Sequence, residues 1–280
     1  MKKITITSLG FLVACSLTAQ TARDARKAAA KTEIFTPAPP VVTPGMVNSN
    51  PPSDAIILFN GKNLDEWVLT NHPEKQADWT VANGILTVKK ASGNIQTKRT
   101  FTNYQLHIEW RIPGSFAKFQ GNNTDFYKTR EPGDSDVANT GQVRGNSGIF
   151  LASTGSGDAG YELQVLDSYQ NATYVNGQAG SIYKQNPPLV NACKKPGEWQ
   201  SYDVIWTAPV FNEDGTVKSP AYVTVFQNGV LIQNHFELQG QTLWIGSPSY
   251  KKHGPCPIKL QAHGDPSEPI NFRNIWIRNL

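Results

Sequence analysis

Tyr104-Gln105-Leu106-His107-Ile108-Glu109-Trp110-Arg111 and Tyr161-Glu162-Leu163-Gln164-Val165-Leu166-Asp167 decide how this chain folds. In the first stretch Leu106, Ile108 and Trp110 fall on one side and His107, Glu109 and Arg111 on the other, because successive Cβ atoms alternate across a strand. In the second, Tyr161, Leu163 and Val165 oppose Glu162 and Gln164. Both read as strands with one apolar face. Similar runs occur at 84–88, 147–151, 199–206, 221–226, 258–261 and 270–277. Asn60-Gly61, Asn83-Gly84, Asn176-Gly177, Asn228-Gly229 and Asp214-Gly215 supply hairpin-turn chemistry between them. Beyond residue 55 no stretch repeats apolar residues at helical spacing for more than a turn. The expectation is an all-β chain, a jelly-roll β-sandwich.

Composition agrees. Charged residues make up only 17% of the 280 residues, and 19 Pro with 23 Gly leave little room for long helices. The formal net charge is +4, of which Lys2 and Lys3 contribute two. No basic run is long enough for a nucleic-acid footprint, so nucleic acid drops out as a partner.

Residues 1–19 read as a secretory signal: a basic start, then an apolar run from Ile4 to Ala14 too short to span a bilayer. Two endings compete, ordinary cleavage before Gln20 or a lipobox at Leu12-Val13-Ala14-Cys15. The second would put a lipid on Cys15, the one membrane link expected. Either way the protein is exported, to the periplasm or the outer membrane of a Gram-negative bacterium. Residues 20–53 read as a Pro-rich flexible linker, with a short marginal helix at 23–31. The remaining cysteines, Cys193 and Cys256, either pair in an oxidising compartment or stay as idle thiols.

The segment 113–145 is a long polar insertion carrying Phe116, Phe119, Phe126 and Tyr127, as a lid over a sugar would. Asp134 and Asp136 within it fall short of a calcium set. Gly155 to Gly160 matches G-x-G-x-x-G, but a strand follows it, so it makes no phosphate cradle.

If the two opening strands share a concave outer face, Glu109 and Glu162 become paired carboxylates across a cleft. Such pairs move protons at glycosidic bonds. The competing reading makes both ordinary outward strand residues, paired with arginines such as Arg111. Asn146 precedes a strand beside the small residues Ser147 and Gly148. Gln261 and His263 follow another strand, and Arg273 lies in the last. Trp244, next to Gly240-Gln241-Thr242, is loop-like and suited to stacking on a sugar, whereas the other tryptophans read as core.

The strings LFNGKNLDEW (58–67), ANGILTV (82–88), YQLHIEWR (104–111), GNSGIFL (145–151), YELQVLDSY (161–169), GEWQSYDVIW (197–206), TVFQNGVLI (224–232) and LQAHGDPSEPINFRNIWI (260–277) together resemble the DUF1080, or 3-keto-disaccharide hydrolase, family. The resemblance covers nearly all of 55–280. It implies a concanavalin-like jelly roll over 54–280, and cleavage of 3-keto-glycosides or disaccharides. It carries over Glu109, Arg111, Asn146, Glu162, Gln164, Gln261, His263 and Arg273 as motif positions; of these the strand-face reading makes Glu162 and Glu109 the expected catalytic residues and the other six the expected substrate-binding ones. Ala262 departs from the acidic residue expected between Gln261 and His263.

The chemistry follows from the substrate. A ketone at C3 acidifies the C2 proton, so a base can take it while the C1 substituent leaves, and water then adds to the enone. Arg111, Gln164, His263 or a divalent metal would stabilise the enolate; no cofactor is otherwise implied. Direct hydrolysis between two carboxylates is the competing route. A non-catalytic carbohydrate-binding module of the same fold is the alternative from another class, and an adhesion or scaffold domain a third.

Overall fold

The computed structural model describes residues 21, 23–47, 49–113, 145–265 and 267–280. The signal segment, Cys15 and the aromatic and acidic residues of the 114–144 insertion lie outside them. The chain divides into two units, 1–42 and 43–280. In the first, residues 23–30 form an exposed helix, as a stretch with no apolar stripe would. No helix among the described residues is long and apolar enough to cross a membrane.

The second unit is antiparallel β throughout. Its strands are β1 (Ile56–Phe59), β2 (Trp67–Leu69), β3 (His72–Gln76), β4 (Thr80–Ala82), β5 (Ile85–Thr87), β6 (Ile95–Thr97), β7 (Tyr104–Arg111) and β8 (Asn146–Ser153). After them come β9 (Gly160–Leu166), β10 (Gln200–Thr207), β11 (Val210–Phe211), β12 (Val217–Ser219), β13 (Tyr222–Gln227), β14 (Val230–Glu237), β15 (Lys259–Leu260) and β16 (Asn271–Asn279). One sheet runs β14-β13-β10-β7-β16-β5-β4, with β1 also on β16. The other runs β3-β2-β6-β15-β8-β9, and β11-β12 is a separate ribbon. This is the expected concanavalin-like sandwich.

The alternation holds where it matters. Leu106, Ile108 and Trp110 of β7 and Tyr161, Leu163 and Val165 of β9 are all fully buried in one core, which the two sheets share. Burying each such side chain contributes roughly 1.5–3 kcal/mol. Two turns behave as their sequence demands: Asn83-Gly84 and Asn228-Gly229 both adopt positive φ (51° and 77°, 53° and 81°), closing the β4-β5 and β13-β14 hairpins. Asn60-Gly61 and Asn176-Gly177 instead lie in connections, Asn60-Gly61 where the chain passes from one sheet to the other. The short strands β1, β2, β3, β4 and β6 were not apparent from pattern, being five residues or fewer and partly exposed.

Residues 43–53 belong to this unit. The Ser49 carbonyl accepts hydrogen bonds from Asn274 Nδ2 (2.7 Å) and Trp276 Nε1 (3.0 Å). Cys193 and Cys256 are free thiols. Burial pushes both up, to about 12 and about 11, so neither is a ready nucleophile.

Buried tyrosine hydroxyls tie the layers together. Tyr104 on β7 donates to the Leu151 carbonyl on β8 (2.6 Å), and Tyr202 on β10 donates to the Gln164 carbonyl on β9 (2.8 Å). The second bond matters for function, because Gln164 stands two residues along β9 from Glu162, on the same face. Tyr202→Phe should lower stability by about 1 kcal/mol, since the Gln164 carbonyl keeps its bond from Gly180 N. Urea denaturation checks this; an unchanged midpoint would show that the bond is not stabilising.

Candidate functional site

Glu162 leaves β9 opposite Tyr161 and Leu163, on the outer face of its sheet. Loops cover it there, so the side chain is 7% exposed. Its backbone is held from two sides. Thr242 Oγ1 accepts the Glu162 N–H (3.0 Å), and Tyr183 N donates to the Glu162 carbonyl (3.1 Å). The segment carrying Tyr183 lies along β9, with Gln164 N donating to Ser181 O and Gly180 N to Gln164 O (each 3.0 Å). It thereby satisfies what would be a bare sheet edge. On the neighbouring strand β8, Gly148 leaves the room: a Cβ there would collide with the Glu162 carboxyl.

The carboxyl faces a cavity of about 590 Å³ lined by Asn146, Gln164, Gln261 and His263 among others. Five of the eight residues singled out from sequence therefore meet in one place. Three amide oxygens of lining residues, Asn146 Oδ1, Gln164 Oε1 and Gln261 Oε1, are buried with no hydrogen-bond partner among the described residues; a side-chain rotation brings such an acceptor to a hydroxyl donor. Burial, reinforced by nearby Asp158 and opposed by Lys259, raises the Glu162 carboxyl to about 8. It therefore carries a proton at neutral pH.

Pattern reading passed over several members of the site. Asp265 accepts a hydrogen bond from Asn146 Nδ2 (2.8 Å) and lies 3.2 Å from His263 Nδ1. Burial works against its ionisation, but His263, Asn146 and Lys90 outweigh it and hold the group below the usual carboxylate range. Its signal was its place two residues after His263. Lys259, fully buried on β15, donates to the carbonyls of Gly155 (3.1 Å), Gly157 (2.8 Å) and Ala159 (2.9 Å). The glycine-rich loop 155–160 thus presents carbonyls to a lysine, and a strand, not a helix N-terminus, follows it. The same loop carries Asp158 into the cavity lining, where Asn94 Nδ2 also bonds it (2.9 Å). Desolvation pulls Lys259 down to about 8. Trp244, expected as a stacking platform, lines the cavity and is 73% exposed.

Glu109, Arg111 and Arg273 stand elsewhere, which corrects the expected pairing of carboxylates. Glu109 lies on β7 in the other sheet, facing away from the shared core and outside the cavity lining. The alternation put both glutamates on outer faces, but these are outer faces of different sheets. A β-bulge in β16 between Arg273 and Trp276, with Asn274 at φ 47°, turns two successive side chains onto Glu109. Arg273 reaches its Oε2 (2.6 Å) and Asn274 its Oε1 (2.8 Å). His107 lies between Glu109 (3.6 Å) and Asp203 (2.6 Å). Arg111 donates to Asn271 (2.8 Å), and both Arg111 and Arg273 lie over the Trp199 ring (4.7 and 4.1 Å). These contacts link β7 to β10 and β16.

Among the described residues no group of three or more His, Cys, Asp or Glu side chains is arranged to hold a metal ion.

Residues 54–278 match the 3-keto-alpha-glucoside-1,2-lyase-like domain family. The chain belongs to that family. It is 49% identical to a Parabacteroides distasonis protein of known crystal structure, named as a candidate glycosyl hydrolase, over 89% of this chain and 95% of that one, with a TM-score of 0.74. Two further candidate glycosyl hydrolases from the same organism share the fold. One is 20% identical, covers 81% of this chain and 94% of its own, and has a TM-score of 0.53. The other is 23% identical, covers 81% and 99%, and has a TM-score of 0.50. No curated protein matches the chain.

Two predictions follow from the charges. Burial of Glu162 favours its neutral form, so its contribution to stability is whole below pH 4.5 and declines as pH rises through about 8. Glu162→Gln should therefore melt higher than the parent, by a margin growing between those values; a pH-independent margin would contradict the burial argument. In the β7 network, burial opposes both charges but the partners prevail. His107 is raised to about 9 by Asp203 and Glu109, and Glu109 is lowered to about 2 by His107, Asn274 and Arg273. Glu109 stabilises above pH 4.5 and loses this toward 2; His107 stabilises below pH 6.5 and loses this toward 9. The network is at full strength between 4.5 and 6.5. Glu109→Gln should flatten the acid side of the melting-temperature profile, and an unaltered profile would refute the assignment.

Proposed function

We propose that this protein cleaves glycosides already oxidised at C3, by elimination across C1 and C2 followed by hydration, with Glu162 as the proton donor. The observation that carries this is the Glu162 carboxyl, buried in a cavity of about 590 Å³ beside His263 and Asp265, where burial raises it to about 8. Membership of the family supports the substrate class. An unoxidised glycoside has no acidic C2 proton, and hydrolysing it calls for two carboxylates flanking one bond. Glu109 is not the second, and the Asp265 carboxylate of the same cavity is engaged by His263 and Asn146.

The steps use groups of the cavity. His263, backed by the Asp265 carboxylate, takes the C2 proton. The C2–H electron pair passes through the C3 enolate and becomes the C1=C2 bond as the C1–O bond breaks. Glu162 gives its proton to the departing oxygen. Amide N–H groups of Gln164 and Gln261 face the enolate oxygen. In the hydration step water adds its oxygen to C1 and its proton returns to Glu162, while His263 returns a proton to C2, so both groups regain their starting states. The export and lipid-anchoring reading of residues 1–19 stands beside this as part of the proposal.

Purified protein incubated with a 3-keto-glucoside and with its unoxidised parent should release aglycone from the oxidised sugar alone, and in D₂O the product should carry deuterium at C2. Activity should fall as pH rises through about 8, where Glu162 loses its proton. Glu162→Gln should cost roughly 10²–10⁴ in kcat. Full activity in that variant would refute the donor role. Sugar binding with cleavage of neither substrate would make the protein a carbohydrate-binding module.

A further inference from the structure

We propose that the rim of the Glu162 cavity is a leaving-group subsite that favours a flat, apolar aglycone over a second sugar. This rests on the glycoside-cleavage reading above and goes on to name the class of substrate.

The cavity has two chemically different halves. Its floor is polar: Asn146, Gln164, Gln261 and His263 line it beside Glu162. Hydroxyl groups of one sugar ring find hydrogen-bonding side chains there. The rim is aromatic: Tyr174, Tyr183 and Trp244 line the same cavity. Trp244 is 73% and Tyr174 40% exposed, with Ile245 (75%) and Val175 (47%) beside them. Large apolar side chains grouped this way at a cavity mouth mark a surface that a ligand covers.

The rim is also fixed in place. Thr242 N donates to the Gly160 carbonyl (2.9 Å) two residues before Trp244, and Lys184 Nζ donates to the Trp244 carbonyl (2.6 Å). The same ammonium lies 5.8 and 5.9 Å from the Tyr174 and Tyr183 ring centres, so Lys184 joins the two loops that carry the rings. The Tyr174 ring packs onto Gly177, where any Cβ would collide with it. Polar atoms of the rim are turned toward each other: the Tyr174 and Tyr183 hydroxyls are 2.9 Å apart, and Gln178 Nε2 donates to the Val175 carbonyl (3.1 Å). A second sugar seated there would give up water from its hydroxyls without meeting acceptors like those of the floor. A flat apolar ring would cover the Trp244 face at little polar cost.

The test compares benzyl, methyl and glucosyl 3-keto-glucosides in both anomers, all leaving as alcohols, so that phenolate departure does not decide the ranking. The expected order of kcat/KM is benzyl first. Trp244→Ala should lower the benzyl-to-methyl ratio about three- to ten-fold. Turnover with no benzyl preference, with the glucosyl substrate preferred, or with a ratio unmoved by Trp244→Ala would overturn the subsite while leaving the cleavage reading intact. If none of the three is cleaved, calorimetric binding of benzyl and methyl glucoside decides. A benzyl preference that Trp244→Ala removes sustains the rim without the cleavage reading, and equal binding by both overturns it.

Discussion

One carboxyl group held against its own ionisation organises this molecule's candidate site. Water stabilises a carboxylate so strongly that burying Glu162 makes sense only if the group stays protonated or gains a partner, and among the described residues no cation pairs with it. Lys259, the nearest candidate by charge, has its ammonium committed to the carbonyls of Gly155, Gly157 and Ala159. Glu162 therefore keeps its proton at neutral pH, and a proton held in a sugar-sized hollow is available to a leaving group. Gly148 makes the room, Thr242 and Tyr183 hold the strand, and the loop along β9 excludes the solvent.

The sandwich treats its two outer faces differently. Both present acidic residues by the same alternation, yet at Glu109 the partners are charged and close, whereas at Glu162 they are neutral or distant. The same residue type, on the same kind of strand, is driven below its ordinary range in one place and above it in the other. Glu109 is pinned by Arg273, Asn274 and His107 into a clamp between β7 and β16. In such a clamp the Glu109 carboxylate joins neighbouring strands and has no proton of its own to give.

Much of the fold was legible because β7, β9, β10 and β16 are long enough for an inward face to repeat three or four times, and because Asn83-Gly84 and Asn228-Gly229 admit few backbone conformations. The five short early strands were not, since three to five partly exposed residues do not establish a period. Within the site, Glu162, Gln164, Asn146, Gln261 and His263 were found through strand faces and motif positions. Asp265, Asp158 and Lys259 were not, because a residue in a loop has no period, and a lysine on a strand reads as solvent-facing until something is seen to cover it.

The order of residues by itself determined that the chain would be a β-sandwich, and which side chains of each strand would point out of its core. That follows from the two-residue period, a local property of every extended backbone. It left open which outward faces coincide, because strands far apart in sequence can be assigned to either layer without changing any local pattern. Only the tertiary structure decided that Glu162 shares its hollow with His263 and Asp265 and not with Glu109: sheet membership depends on which strands pair, and pairing is a long-range outcome of packing.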